Sequence, residues 1–212
     1  MIHLLYTIME DRTINYIWQN RLKEMPLDVQ ERVKRYHKVE NKAQLVVGRL
    51  LLQTGMYRQG YTDFDLKTIS YNSYNRPIWK KEVAFSIAHS AEVVACAITK
   101  TGRIGLDIEK RKPIDFRNFK HILNEEDVRK IRTARDPNTA FFEIWTIKEA
   151  ITKAMGQGLA IEVKPIDIQR GRVFFEGVEW FCKPVFLREE FSTHLVSDKP
   201  VELKMEEINY SK

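Results

Sequence analysis

Cysteine is scarce in this chain. Its 212 residues include two, Cys96 and Cys182. There is no CxxC pair, which excludes a disulfide scaffold and a structural zinc site built from such pairs. Cys96 lies within Val93-Val94-Ala95-Cys96-Ala97-Ile98, where a buried, reduced thiol is expected. Long apolar runs are missing as well. None approaches the ~20 residues that a membrane-spanning helix needs, so no membrane partner is expected. The first residues, MIHLLYTIME, carry no basic n-region and no small-residue cleavage site, so the sequence reads as that of a cytoplasmic protein without a signal peptide. HExxH, GxSxG and a Cys–His arrangement are absent, which leaves metalloprotease and hydrolase readings without support. No fixed-period repeat or low-complexity segment is found.

What remains is an ordinary globular composition, 43% hydrophobic and 30% charged, with a net charge of +6. The length is enough for one large domain or two small ones. The positive excess is uneven. Residues 1–102 hold 15 Lys/Arg against 10 Asp/Glu, whereas residues 103–212 hold 20 against 19. A basic first half is either a solvated surface or a site for something anionic, and composition does not choose between them.

Hydrophobic periodicity divides the chain into two halves of similar order, strand then helix then strands. Residues 2–9 read as a strand. Pro26 opens a helical stretch to about Thr54, in which Val29, Val33, Tyr36, Ala43, Val47 and Leu50 recur at three- and four-residue steps. Lys38, Lys42 and Arg49 share another face of it. Strands are expected at Thr68–Tyr71, Ala84–Ile87 and Val93–Ile98. Strand Ile104–Glu109 opens the second half. Helices at 125–135 and 139–155 follow, stopped by Gly156 and Gly158, and then several strands between about Val163 and Met205. The expectation is an α+β fold of two halves, 1–102 and 103–212, with a ligand cleft between them.

Three clusters carry possible chemistry. In Gly105-Leu106-Asp107-Ile108-Glu109-Lys110, alternation puts Asp107 and Glu109 on one strand face. Two like charges there are either a solvated face or a seat for a hard cation such as Mg²⁺, which takes one or two carboxylates and leaves room for phosphates. The helix Phe141–Lys153 is apolar on two sides, so Lys148, Glu149 and Lys153 stand at a cleft, or else Glu149 and Lys153 form an i,i+4 surface pair. In Phe85-Ser86-Ile87-Ala88-His89-Ser90, His89 is either structural or a phosphate donor at a strand–turn junction. Gly156-Gln157-Gly158 has neither dinucleotide nor Walker spacing.

The order GLDIEK, then WTIKEAITKAMGQGL some forty residues on, with FSIAHS upstream, resembles the 4′-phosphopantetheinyl transferases of the Sfp type. The motifs span residues 75–159. The resemblance implies an α+β fold of two pseudo-symmetric halves, a pseudo-dimer with coenzyme A between them. It implies Mg²⁺-dependent transfer of phosphopantetheine from coenzyme A to a serine of an acyl or peptidyl carrier protein, releasing adenosine 3′,5′-bisphosphate. On matching positions, Asp107, Glu109 and Glu149 would hold the metal, and Glu149, Asp107 and Lys148 would be catalytic, Glu149 also as base. Arg49, Arg76, His89, Ser90, Lys148 and Lys153 would bind coenzyme A. Phe116 and Phe119 are assigned to the carrier, with a core role as the alternative. A monomer with no nucleic-acid partner is expected.

The sequence departs from the family pattern in three places. Ala88 replaces a serine, Asn75 replaces a glycine in a turn that Asn can still make, and Gln44 stands where some members have arginine. Two other classes compete with the enzyme. A binding module without catalysis is opposed by the presence of all three acids and Lys148. A nucleic-acid-binding domain lacks any RNP, KH or zinc-finger signature.

Overall fold

The computed structural model of the protein describes residues 1–80, 82–200 and 202–210. The chain forms two compact units. The first comprises Met1–Asn72, Pro77–Thr101 and the segment from Glu202 onward, and the second Ser73–Arg76 and Gly102–Val201.

The first unit holds β1 (Ile2–Ile8), α1 (Asp11–Asn20), α2 (Leu27–Lys34), α3 (Val39–Arg58), the two-residue strands β2 (Ser70–Tyr71) and β3 (Pro77–Ile78), then β4 (Ala84–Ser90) and β5 (Val93–Thr99). Every residue of β5 is buried. A strand apolar on both faces must be covered on both, and α3 packs on one of them. Gly48 and Gly55 let the helix come close: a Cβ on Gly48 would lie 2.8 Å from Ile87 Cγ2, and one on Gly55 would overlap Ile98 Cδ1 and lie 2.9 Å from Leu5 Cδ1. β4 and β5 form a hairpin whose turn uses Ala91 at φ 47°.

The helical stretch expected from Pro26 to Thr54 is two helices, broken between Lys34 and Lys38. A single helix of that length would run about 43 Å at 1.5 Å per residue, longer than a small domain is wide. The break lets Val29 and Val33 of α2 and Ala43, Val46 and Val47 of α3 reach one core. The strand expected at Thr68–Tyr71 begins instead as a 3-10 turn, Leu66–Thr68, whose Asp65 cap accepts from Lys67 N.

The second unit runs β6 (Ile104–Lys110), α4 (Glu125–Thr133), α5 (Pro137–Met155), β7 (Asp167–Gln169), β8 (Arg172–Phe175), β9 (Val178–Pro184) and β10 (Phe191–Ser197). The sheet order is β6-β10-β9-β8-β7, all antiparallel. α4 opens with a capping box, Asn124 and Asp127 satisfying each other's backbone N–H. α5 starts on Asp136, which accepts from Asn138 N and Thr139 N, with Pro137 at its first position. It packs on β6 and β10, covering Ala150, Ile151, Ala154 and Trp180.

Each unit is therefore a sheet under one long helix, in the order strand, helices, strands, and the fold is α+β. Besides Gly102, which falls in the second unit, the division differs from 1–102 and 103–212 at two segments. Ser73–Arg76 clusters with the second unit, where Arg76 Nη1 donates to Ala154 O at 2.8 Å. The last strand, β11 (Leu203–Glu207), returns to the first unit and pairs parallel with β1 from Ile2↔Leu203 to Tyr6↔Glu207. The reason is an open strand edge: without β11, one side of β1 would present unpaired backbone groups.

Candidate active site

The glycine of GLDIEK decides what lies beside it. Gly105, Asp107 and Glu109 share one face of β6 by alternation, the face that α5 covers. A Cβ on Gly105 would overlap the carbonyl oxygen of Ala150 and lie 2.7 Å from Ala154 N. The helix backbone thus rests directly on the strand at position 105. Two residues on, Asp107 is buried at 6% exposure. Its Oδ1 accepts from Lys153 Nζ of α5 at 2.7 Å. Its Oδ2 is buried with no hydrogen-bond partner among the described residues. Burial raises the Asp107 pKa, which the Lys153 ammonium partly offsets.

Glu149 is half-buried on α5, one turn before Lys153. Its pKa is raised, first by burial and then by the charges of Asp107 and Glu109, with Lys153 opposing. Glu149 therefore feels the charges of both strand carboxylates. They do not form a closed cage: among the described residues no group of three or more His, Cys, Asp or Glu side chains is gathered for a metal ion. The donor set still suits a hard cation, being all carboxylate, with one buried oxygen left without a partner. The i,i+4 surface pair is not what forms, since Lys153 turns to Asp107.

Lys148 requires a correction. It was expected on phosphate and in catalysis, yet it is 1% exposed. Its Nζ pairs with Asp127 Oδ2 at 2.7 Å and donates to Ile122 O at 3.0 Å, Val163 O at 3.1 Å and Lys164 O at 3.3 Å. A three-proton donor with four acceptors around it has nothing left to offer a ligand. Lys148 ties α5 to α4 and to the loop after α5.

The basic face of the long helix is also taken apart. Lys38 is the N-cap of α3, outside the helix proper. Lys42 lies over the Trp18 ring, 4.5 Å from its centroid. Arg49 is buried at 4% exposure, its Nη2 donating to Tyr71 OH at 3.3 Å, and that hydroxyl donates to Asp28 at 2.8 Å. Gln44, the departure from arginine, is buried and donates to Ala91 O at 2.6 Å, bracing the hairpin turn just after His89 and Ser90. His89 is exposed and Ser90 half-exposed at the end of β4.

Phe116 and Phe119 are both half-buried and pack against Leu123, Ile131, Phe141, Phe142 and Ile144. Phe119 meets the Phe141 ring at 5.0 Å and Trp145 at 5.6 Å, so the core alternative describes Phe119. A groove of about 560 Å³ on the α4 side, lined by Lys120, Arg132 and Lys164 among others, contains none of the three acids.

Two groups of the site were not found from sequence. His194 on β10 stands directly opposite Asp107 in the sheet. Its Nδ1 lies 2.7 Å from Thr146 Oγ1 of α5, and that hydroxyl lies 2.8 Å from Phe142 O. Thr146 Oγ1 and His194 Nδ1 share one hydrogen bond whose direction is set by the ring tautomer. Burial lowers the His194 pKa to about 4, keeping the ring neutral. Nothing in FSTHLVS announces this, because a cross-strand neighbour more than eighty residues away has no local signal. The second is the seat of Arg76 at the end of α5. The side chain of Leu159, which closes the motif, lies outside the described residues.

Compared with known proteins, residues 103–203 match the 4′-phosphopantetheinyl transferase superfamily. The 4′-phosphopantetheinyl transferase gsp of Aneurinibacillus migulanus is 25% identical over 174 residues, 81% of this chain and 73% of its own. Sfp of Bacillus subtilis is 26% identical over 180 residues, 81% of this chain and 80% of its own. HetI of Nostoc is 30% identical over 143 residues, 61% of this chain and 58% of its own.

Proposed function

We propose that this chain, a member of the 4′-phosphopantetheinyl transferase superfamily that transfers phosphopantetheine to carrier proteins, takes the group from coenzyme A in the presence of Mg²⁺, with Asp107, Glu109 and Glu149 as the acids that serve the reaction. The observation that carries this is the lone buried oxygen of Asp107 in a cluster where burial and the charges of Asp107 and Glu109 raise the pKa of Glu149. Such a cluster is costly unless a cation or a proton joins it.

Asp107, Glu109 and Glu149 would hold the metal. Mg²⁺ bound there would supply charge neutralisation to the pyrophosphate as its P–O bond breaks. The carrier serine oxygen bonds to the phosphorus of the phosphopantetheine phosphate, and the bond to the departing adenosine 3′,5′-bisphosphate breaks. The serine proton passes to Glu149, directly or through a water. Its raised pKa suits that task, since a base works best with a pKa near the operating pH. Arg49, Arg76, His89, Ser90 and Lys153 are assigned to coenzyme A on the motif matches. Lys148 drops out of that set. Phe116 remains the residue of its segment that meets the carrier, and Phe119 does not. The protein works as a cytoplasmic monomer without nucleic acid; among the described residues no helix is long and apolar enough to cross a membrane.

The test is direct. Apo carrier with coenzyme A and Mg²⁺ gains one phosphopantetheine arm on serine, read by mass. EDTA stops the gain, and Asp107→Ala lowers it by orders of magnitude. Full activity in EDTA or in Asp107→Ala overturns the metal assignment.

A further inference from the structure

Gly156 ends α5 in the left-handed conformation, φ 74°, its N–H bonded to Thr152 O. That is the ordinary reason for glycine at a helix end. A second reason is particular to this position. A Cβ on Gly156 would lie 2.6 Å from Arg76 Nη1, 2.7 Å from Arg76 Cδ and 3.4 Å from Arg76 Cζ. The Nη1 and Cδ edge of the Arg76 side chain comes against the glycine, and Nη1 donates to Ala154 O at 2.8 Å. Gly171 and Gly177 in the same unit share the backbone conformation, both at φ 72°, and have nothing within 4 Å of the missing Cβ. Conformation and close approach therefore coincide at Gly156, whereas those two turn glycines have conformation alone.

We infer that Gly156 is a positioning residue for the anionic substrate: the side chain it lacks leaves the seat that fixes the Arg76 guanidinium on the C-terminal end of α5. The carbonyl that holds Arg76 belongs to the residue after Lys153, and Lys153 contacts Asp107. One rigid helix end thus sets the spacing between Arg76, Lys153 and the acids. A planar, partly desolvated guanidinium held this way offers a phosphate a fixed donor fork rather than a mobile charge. The inference rests on the assignment of Arg76 to coenzyme A.

The experiment compares Gly156→Ala, Arg76→Ala, the double variant and Gly171→Ala, each with coenzyme A and an apo acyl carrier protein. Gly171→Ala imposes the same left-handed strain without a clash, so its Tm falls while the coenzyme A Kd holds. Gly156→Ala is expected to raise the coenzyme A Kd and KM about tenfold, the size of one charge-assisted contact. Its kcat stays within about threefold, because Glu149 is untouched. Arg76→Ala raises Kd at least as much, and Gly156→Ala adds nothing on that background. If Gly156→Ala keeps the wild-type Kd while Arg76→Ala loses affinity, or if the two losses simply add, the seat is not what positions Arg76, and the inference fails alone. If neither variant changes Kd and only Tm falls, Arg76 is a helix cap, and both the inference and the coenzyme A assignment of Arg76 fail.

Discussion

The long helices of the two units reach their sheets by opposite means. In the first unit the helix gives up side chains, at Gly48 and Gly55, and the sheet keeps Leu5, Ile87 and Ile98 to fill the space. In the second unit the strand gives up a side chain, at Gly105, and the helix keeps Ala150 and Ala154. The consequence differs with the donor. Glycines on α3 seal an apolar layer against a fully buried β5. A glycine on β6 lowers α5 onto the strand just where the next two same-face positions are Asp107 and Glu109. The close approach then delivers Glu149 and Lys153 to those carboxylates. One kind of packing device builds a core in one unit and a reactive cluster in the other.

The largest effect should come from reversing that device. Gly105→Ala forces a Cβ into helix backbone, which cannot rotate away, and is expected to cost more than about 4 kcal/mol, enough to abolish a cooperative melt. Gly55→Ala meets only side-chain methyls and should cost ~1–3 kcal/mol, and Gly48→Ala, whose one close neighbour is Ile87 Cγ2, should cost less. Denaturant titrations of the three give the ranking. A Gly105→Ala protein as stable as Gly55→Ala breaks the contrast.

Next in size are the two lysines of α5. Lys148→Met leaves Asp127 buried without its cation and should destabilise by ~3–5 kcal/mol. Turnover per folded molecule should survive. Lys153→Met, at a half-exposed position, should change Tm less and activity more. A Lys148→Met protein with unchanged Tm and lost kcat would reinstate Lys148 as a phosphate ligand.

Glu149→Gln tests the reactive side of the same helix. Turnover should fall ~10²–10⁴-fold, the usual worth of a positioned base, with the melt unchanged and coenzyme A affinity only modestly weaker. Near-normal turnover would leave the carrier serine's proton to water or a phosphate oxygen.

The last effect needs no substitution to appear, a pH dependence of stability that belongs to the second unit. His194 has its pKa lowered from 6.5 to about 4 in the folded chain. Between those values the unfolded chain binds the extra proton, so stability rises with pH there and is lost as pH falls from about 6.5 toward 4. The full span corresponds to about 3 kcal/mol. Replacing His194 with Asn should flatten urea-derived stability over that window. An unchanged slope would mean that another group supplies it.

The lysines show why a motif is only half legible. Lys148 and Lys153 lie on one helix within one matched pattern, and both read as phosphate ligands. They differ by about 140° around the helix axis at ~100° per residue. Which side meets the acids and which meets α4 depends on where Asp127 is folded to, and no local spacing reports that. The basic face of α3 disperses in the same manner. Lys38, Lys42 and Arg49 are close in angle, yet one is a cap, one lies on Trp18, and one is buried against Tyr71. A helical wheel gives angle without burial. The continuous helix expected from Pro26 failed because periodicity across Arg35–Lys38 is insensitive to a break that global dimensions require.

The sequence by itself determined the strand and helix periods, the shared face of Gly105, Asp107 and Glu109, the glycine stop of α5, and the order of motifs that identifies the family. These are properties of one residue and its near neighbours, set by sterics and by alternation. Tertiary structure alone decided that β11 completes the sheet of β1, that His194 stands opposite Asp107, that Lys148 belongs to Asp127, and that Arg76 lies across Gly156. Each of these joins segments more than twenty residues apart. Their pairing is chosen by which buried donor, acceptor or charge would otherwise be left without a partner, and that cost exists only once the chain has folded.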